Sequence, residues 1–250
     1  MKELKRLVIM IGDSLIGHDN IYSFVPEYTG SYAYKLMKKL QTKGDVHLMV
    51  MGWGGTAMSH NHPSPAYSQG NWIYQKAVNI HQFNTLGKDY EDKYQVKITP
   101  DTKIATVFQY GTNDLGCWNI CKPYFVNDYL GQLFRFNDGK HFVGLIPSLW
   151  SSDAHLQNEV NDHVKQVINQ DGATLIDHRN VDNQALFNDM YHPNPLGNDI
   201  MANNAYKAVK PYLFGGAQPI PDPVPDSNEL AISYLNTAST YIDKARKELE

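Results

Sequence analysis

Short apolar runs that end on glycine or a small polar residue alternate along this chain with segments whose apolar residues recur every three to four positions. The first run is Leu7-Val8-Ile9-Met10-Ile11. Runs over residues 46–51, 104–110 and 142–146 follow, and the shorter Thr174-Leu175-Ile176-Asp177 closes the series. Continuous apolar runs of this kind are buried on both faces, which is the pattern of parallel strands. Between them, Ala33, Leu36, Met37 and Leu40 share one helical face, and Gly44 closes that helix. Further helices are predicted over 72–83, over 125–134, along Leu156, Val160, Val164, Val167 and Ile168, and along Leu196, Ile200, Ala205, Val209 and Leu213. Strands alternating with helices predict a three-layer α/β/α sandwich around a five-stranded, mainly parallel, flavodoxin-like sheet.

That architecture restricts where chemistry can sit. Right-handed crossovers put every strand C-terminus on one edge, and ligands bind there. The first run leads into Gly12-Asp13-Ser14-Leu15. Residues 46–51 lead into Gly52-Trp53-Gly54-Gly55-Thr56, and residues 104–110 into Gly111-Thr112-Asn113-Asp114. Asp189-Met190-Tyr191-His192-Pro193-Asn194 lies between the last strand and the last helix, so it opens on the same edge. A serine alone is a weak nucleophile and needs a base and a site for the developing oxyanion. His192 is one of ten histidines. What separates it is Asp189, three positions earlier. In a tight turn that carboxylate can accept from one ring nitrogen and hold the other as an acceptor facing Ser14. Asp177-His178 competes, but neighbours in an extended segment point to opposite faces. Read alone, Ser14 is a helix cap and Asn113 a turn residue. Gly52, Gly54 and Gly55 would each let a backbone N–H approach a ligand unobstructed.

Taken in order, these four segments resemble the SGNH hydrolase family, also called the GDSL esterase/lipase family, over residues 6–214. The first, third and last segments match closely. The glycine segment matches loosely, because the family shows an asparagine shortly before the glycine where this chain has Val50 or Met51. The resemblance implies ester hydrolysis through an acyl-enzyme, with no cofactor and no metal. It implies Ser14 as nucleophile, His192 as general base and Asp189 as its orienting partner. The oxyanion donors it implies are the Ser14 N–H, the Asn113 side-chain amide, and the N–H of Gly55, which best fits the Gly52-x-x-Gly55 spacing, or of Gly54. Asp13, Trp53 and Tyr191 stand beside these motifs as candidates for substrate contact. The G-x-S-x-G elbow of other serine hydrolases does not occur here.

Composition narrows the partners. A chain of 250 residues can bury one sizeable core and carry a small appendage. The net charge is −4 and no basic stripe is present, so no nucleic-acid partner is expected. No apolar run has the length of a membrane span, and residues 1–6 lead into a strand too short for a signal peptide. The compartment stays open between the cytoplasm and a larger surface or virion assembly. Cys117 and Cys121 lack the histidine pairs of a zinc site and read as free packing thiols, a local disulfide being the other option. His60 and His62 also lack further ligands and fall at the mouth of the cleft. The polar loop over 58–70, and the lack of a long apolar stretch for a fatty chain, favour a small acyl group, acetyl on a carbohydrate. A lipase or thioesterase of the same fold is the alternative. A non-catalytic structural or binding module of a surface or phage-tail assembly is the other, prompted by the C-terminal end. There, after a hydrolase domain over 1–214, the proline-rich stretch 215–228 reads as a semi-rigid linker. In 229–250, Ala231, Leu235, Ala238, Ile242, Ala245 and Leu249 form a heptad seam. It reads either as the start of an oligomerising coiled coil or as a helix folding back on the domain.

Overall fold

The structure, a computed structural model, describes residues 1–16, 29–52, 56–59, 85–136, 139–148 and 152–215. The helix predicted over 72–83, the proline-rich stretch beyond Gly215 and the heptad seam lie outside these residues.

Seven strands and five α-helices are described: β1 (Lys2–Glu3), β2 (Arg6–Gly12), α1 (Tyr32–Gln41), β3 (His47–Gly52), α2 (Thr85–Tyr94), β4 (Val96–Lys97), β5 (Lys103–Gln109), α3 (Trp118–Arg135), β6 (Lys140–Gly144), α4 (Gln157–Asp171), β7 (Thr174–Ile176) and α5 (Pro195–Phe214). Five strands form one sheet in the order β3-β2-β5-β6-β7, with every pair parallel. Relative to the chain this is the flavodoxin-like order. The chain first lays β3 on one side of β2, then crosses back to lay β5 on the other. The loops after β2 and β5 therefore diverge and leave a crevice at the C-terminal edge.

The strands are buried because both faces are covered. In β2 every residue after Arg6 is buried, and in β5 every residue after Lys103. On one face α1 packs against α5, and α3 packs against α4 on the other. Helix α1 begins where the Ser31 hydroxyl accepts from the Tyr34 N–H (3.2 Å), and it turns Tyr32, Ala33, Leu36, Met37 and Leu40 inward. Helix α5 begins at Pro195, whose missing N–H costs nothing at a first position. Asn194 caps it by accepting from the Leu196 and Gly197 N–H groups. Its buried residues combine the small Ala202, Ala205 and Ala208 with the larger Met201, Val209 and Leu213. Phe125 and Tyr129 of α3 meet each other edge to face, and Tyr129 meets the rings of Phe108 and Tyr110 in the same way. Each large apolar side chain buried in this way contributes about 1.5–3 kcal/mol.

Several elements differ from expectation. Helix α3 starts at Trp118 rather than near 125 and continues through Pro123, which lies inside it and removes one internal hydrogen bond. Helix α1 stops at Gln41, and Gly44 instead forms the turn into β3. Helix α2 and a second small sheet, β1 parallel to β4, add to the predicted elements.

Candidate active site

Ser14 is presented by a turn that only glycine can enter. A Cβ on Gly12 would stand 2.4 Å from the Gln109 carbonyl oxygen and 2.7 Å from Ile16. The chain leaves β2 pressed against the end of β5, where the Asp13 N–H donates to the Gln109 carbonyl (3.3 Å). The Asp13 carboxylate then accepts from the Leu15 N–H (2.9 Å), tightening the turn and leaving Ser14 half-buried at the edge. A small pocket there is lined by Ser14 and His192 together with Ser31, Tyr32 and Asn198.

Residues 186–194 form a closed loop. The Asn188 N–H donates to the His192 carbonyl and the Asn194 N–H to the Leu186 carbonyl, each at 2.8 Å. At its tip one carboxylate does two things. Asp189 Oδ1 accepts from the backbone N–H groups of Tyr191 and His192, both at 2.7 Å, which sets the turn. Asp189 Oδ2 lies 2.8 Å from His192 Nδ1, and His192 Nε2 lies 2.9 Å from Ser14 Oγ. With Nδ1–H donating to Asp189, Nε2 is left as the acceptor for the serine hydroxyl. Burial opposes the Asp189 charge, but the bonds from the His192 ring and from the two backbone N–H groups outweigh it and hold the carboxyl below its ordinary value.

Asn113 follows β5 by way of Gly111, whose φ of +120° excludes ordinary side chains. Asn113 Nδ2 donates one hydrogen to the Thr56 carbonyl (2.9 Å), which leaves its second N–H for another acceptor. Next to it, Asp114 is wholly buried. Its two oxygens accept from the Met58 and Ser59 N–H groups, both at 2.9 Å. Burial raises its carboxyl to about 6 against those two bonds.

Gly52 ends β3 level with Gly12 and, through β2, with Gln109 at the end of β5. The segments carrying the serine, the glycines and the asparagine thus leave the sheet side by side. Trp53, Gly54 and Gly55, named above, lie outside the described residues, as do His60 and His62. Asp13, expected to face substrate, is instead wholly buried under the turn, with its Oδ1 engaged by the Leu15 N–H. Burial lifts its carboxyl to about 7. The Leu15 N–H works against that rise, the charge of Asp114 adds to it, and the Thr112 hydroxyl lies beside it. Tyr191 is half-buried against the core beside His192. Trp118 is a core residue, edge-on to Phe125 and His163. The competing pair is split: Asp177 binds the Arg179 guanidinium (2.6 and 2.9 Å), while His178 is buried against Tyr32, its imidazole pushed down to about 3 by burial.

Cys117 and Cys121 are free thiols. Among the described residues no cluster of three or more His, Cys, Asp or Glu could hold a metal, and no helix is long and apolar enough to cross a membrane. The sequence reading passed over Asp114 and the Thr56 carbonyl. The signal available for Asp114 was a carboxylate next to Asn113 in the segment that follows a buried strand.

No protein-family model and no curated protein matches the chain. Solved structures do. Est24, a carbohydrate acetylesterase from Sinorhizobium meliloti, aligns with a TM-score of 0.60 at 13% identity, over 82% of this chain and 99% of that one. The acetyl xylan esterase AlAXEase aligns at 0.55 and 19% identity, over 81% and 99%. The aryl esterase of M. smegmatis aligns at 0.56 and 14% identity, over 83% and 99%. At these identities the likeness is one of fold. The chain has the α/β/α fold of these esterases, spanning nearly the whole of each.

Proposed function

We propose that the protein is a serine esterase that removes small acyl groups, acetyl foremost, from carbohydrate esters. The observation that carries the reading is the unbroken hydrogen-bonded chain from Ser14 Oγ through both nitrogens of His192 to Asp189. In the reaction, His192 Nε2 takes the Ser14 proton as Oγ attacks the ester carbonyl. The tetrahedral oxyanion accepts from the Ser14 N–H, the free N–H of the Asn113 amide, and the N–H of Gly55 or Gly54. Collapse breaks the bond to the alcohol, whose oxygen takes the proton back from His192. Water, deprotonated by the same imidazole, then attacks the acyl-Ser14 ester, releasing the acid and restoring the serine. Asp189 stays ionised and holds the imidazolium in place. Tyr191 and Trp53, beside the base and the glycine segment, are the candidate substrate contacts.

Carbohydrate acetyl esters are favoured by the polar loop over 58–70 and by the small pocket beside Ser14. The alignments with a carbohydrate acetylesterase and an acetyl xylan esterase give the choice a fold-level precedent. The test is labelling with a fluorophosphonate, together with rates on p-nitrophenyl esters of increasing chain length and on acetylated xylan. Labelling lost in Ser14→Ala, with acetate the preferred acyl group, supports the reading. An unlabelled wild type defeats it, and a preference for long acyl chains defeats the acetyl assignment.

A further inference from the structure

We propose that Asp114 is a positioning residue that locks the loop after β5 to the loop after β3 and so sets the geometry in which Asn113 meets the oxyanion. The proposal rests on the esterase reading and deepens it. Among the described residues, hydrogen bonds that join the two loops run from Asn113 Nδ2 to the Thr56 carbonyl, from the Met58 N–H to Asp114 Oδ2, and from the Ser59 N–H to Asp114 Oδ1, each at 2.9 Å. Two of them end on one carboxylate. Thr56, Met58 and Ser59 are themselves buried, so the segment they belong to is enclosed rather than draped over the surface.

A carboxylate removed from water needs compensation, and bonds to a charged acceptor are about twice as strong as neutral ones. Asp114 finds that compensation in two successive backbone N–H groups from a segment more than 50 residues away. A single side chain thereby fixes the position and direction of the 56–59 backbone. That backbone in turn presents the Thr56 carbonyl, which holds one hydrogen of the Asn113 amide and thus aims the other. Asn113 and Asp114 are adjacent, so the two contacts close a ring through both loops. Loosening the Asp114 end lets the Thr56 carbonyl drift and the Asn113 amide rotate. A donor that must meet charge only in the transition state tolerates little such error.

Asp114→Asn is the test, because it keeps the size of the side chain but turns one acceptor into a donor facing an N–H. Active enzyme is counted by fluorophosphonate titration, and wild type and Ser14→Ala are run alongside, so failure of the esterase reading shows as an inert wild type before any variant is compared. The expected result is a fall of about 10–100-fold in kcat with KM changed less than about threefold, and a matching rise in Ki for a boronic acid that forms a tetrahedral adduct on serine. In an Asn113→Ala background the same substitution should cost much less, since it acts through that amide. Unchanged kcat per active site, or a cost that multiplies undiminished on top of Asn113→Ala, overturns the proposal even if the variant is less stable. Should Asp114→Asn fail to fold, wild-type amide hydrogen exchange decides. The Met58 and Ser59 amides must be protected, and fast exchange of both overturns the clamp.

Discussion

The hydroxyl of Ser14 and Nε2 of His192 lie 2.9 Å apart although 178 positions separate them in the chain. The first belongs to a turn leaving β2, the second to a loop entering α5. The sheet edge is what they share. No local sequence signal could have fixed that distance. It follows from parallel strands that deliver every loop of interest to one side of the molecule.

The double role of Asp189 can be separated by substitution. Asp189→Asn keeps an oxygen for the Tyr191 and His192 N–H groups but offers the ring an N–H, which favours the wrong imidazole tautomer. It should lower kcat by about 10⁴ while leaving thermal unfolding close to wild type. Asp189→Ala loses the turn as well, so its melting temperature should also drop. Steady-state kinetics paired with calorimetry check both. Equal loss of stability in the two variants would contradict the split.

On the proposed mechanism Asn113→Ala should reduce kcat by about 10²–10³ with little change in KM, because the amide N–H not used by Thr56 would meet charge that develops only after substrate binds. Rates with p-nitrophenyl acetate measure this. A rise in KM at constant kcat would place Asn113 in substrate binding instead.

Asp13 makes stability depend on pH in a defined direction. Burial raises its carboxyl from 3.8 to about 7 in the folded protein, so the folded state holds that proton more tightly than the unfolded chain. The stabilisation is fully present below the unfolded value. It declines as pH rises toward 7, by at most about 1.4 kcal/mol per pH unit, and is lost above it. Asp13→Asn does not titrate. Its melting temperature should therefore gain on wild type between about pH 4 and about pH 7 and run parallel beyond that. A constant gap across the range in thermal melts would show that Asp13 does not titrate there.

Gly111→Ala should destabilise the fold by about 1–3 kcal/mol, since alanine is strained at a φ of +120° and its Cβ would lie 3.0 Å from Val160. Gly116→Ala, where a Cβ meets nothing within 4 Å, serves as the control and should stay within about 0.5 kcal/mol. Urea titration reads both.

The large sheet was legible because its strands are continuous apolar runs, and a run of that type has few other places to go. Ser14, Asn113, Asp189 and His192 stood out as candidates through the order of their four segments and the three-residue spacing of Asp189 and His192, and the structure links Ser14, His192 and Asp189 by hydrogen bonds. Helix α2 was not, since Thr85–Tyr94 carries few apolar residues to mark a face. The beginning of α3 was hidden by Pro123, which signals a helix end in most positions. Asp114 was hidden for a different reason. Its partners are backbone N–H groups in a distant loop, and any residue type can supply those. Asp13 was misjudged because proximity to Ser14 in sequence says nothing about which way its side chain turns.

Because β2, β3 and β5 finish in line at Gly12, Gly52 and Gln109, three exits from the sheet share a common foundation of paired backbone. Surface excursions built beyond those points can lengthen, shorten or be exchanged without moving the foundation. On the esterase reading, exchanging the excursion after β3 should disturb bond breaking together with selectivity, because Thr56, Met58 and Ser59 on it are bonded to Asn113 and Asp114.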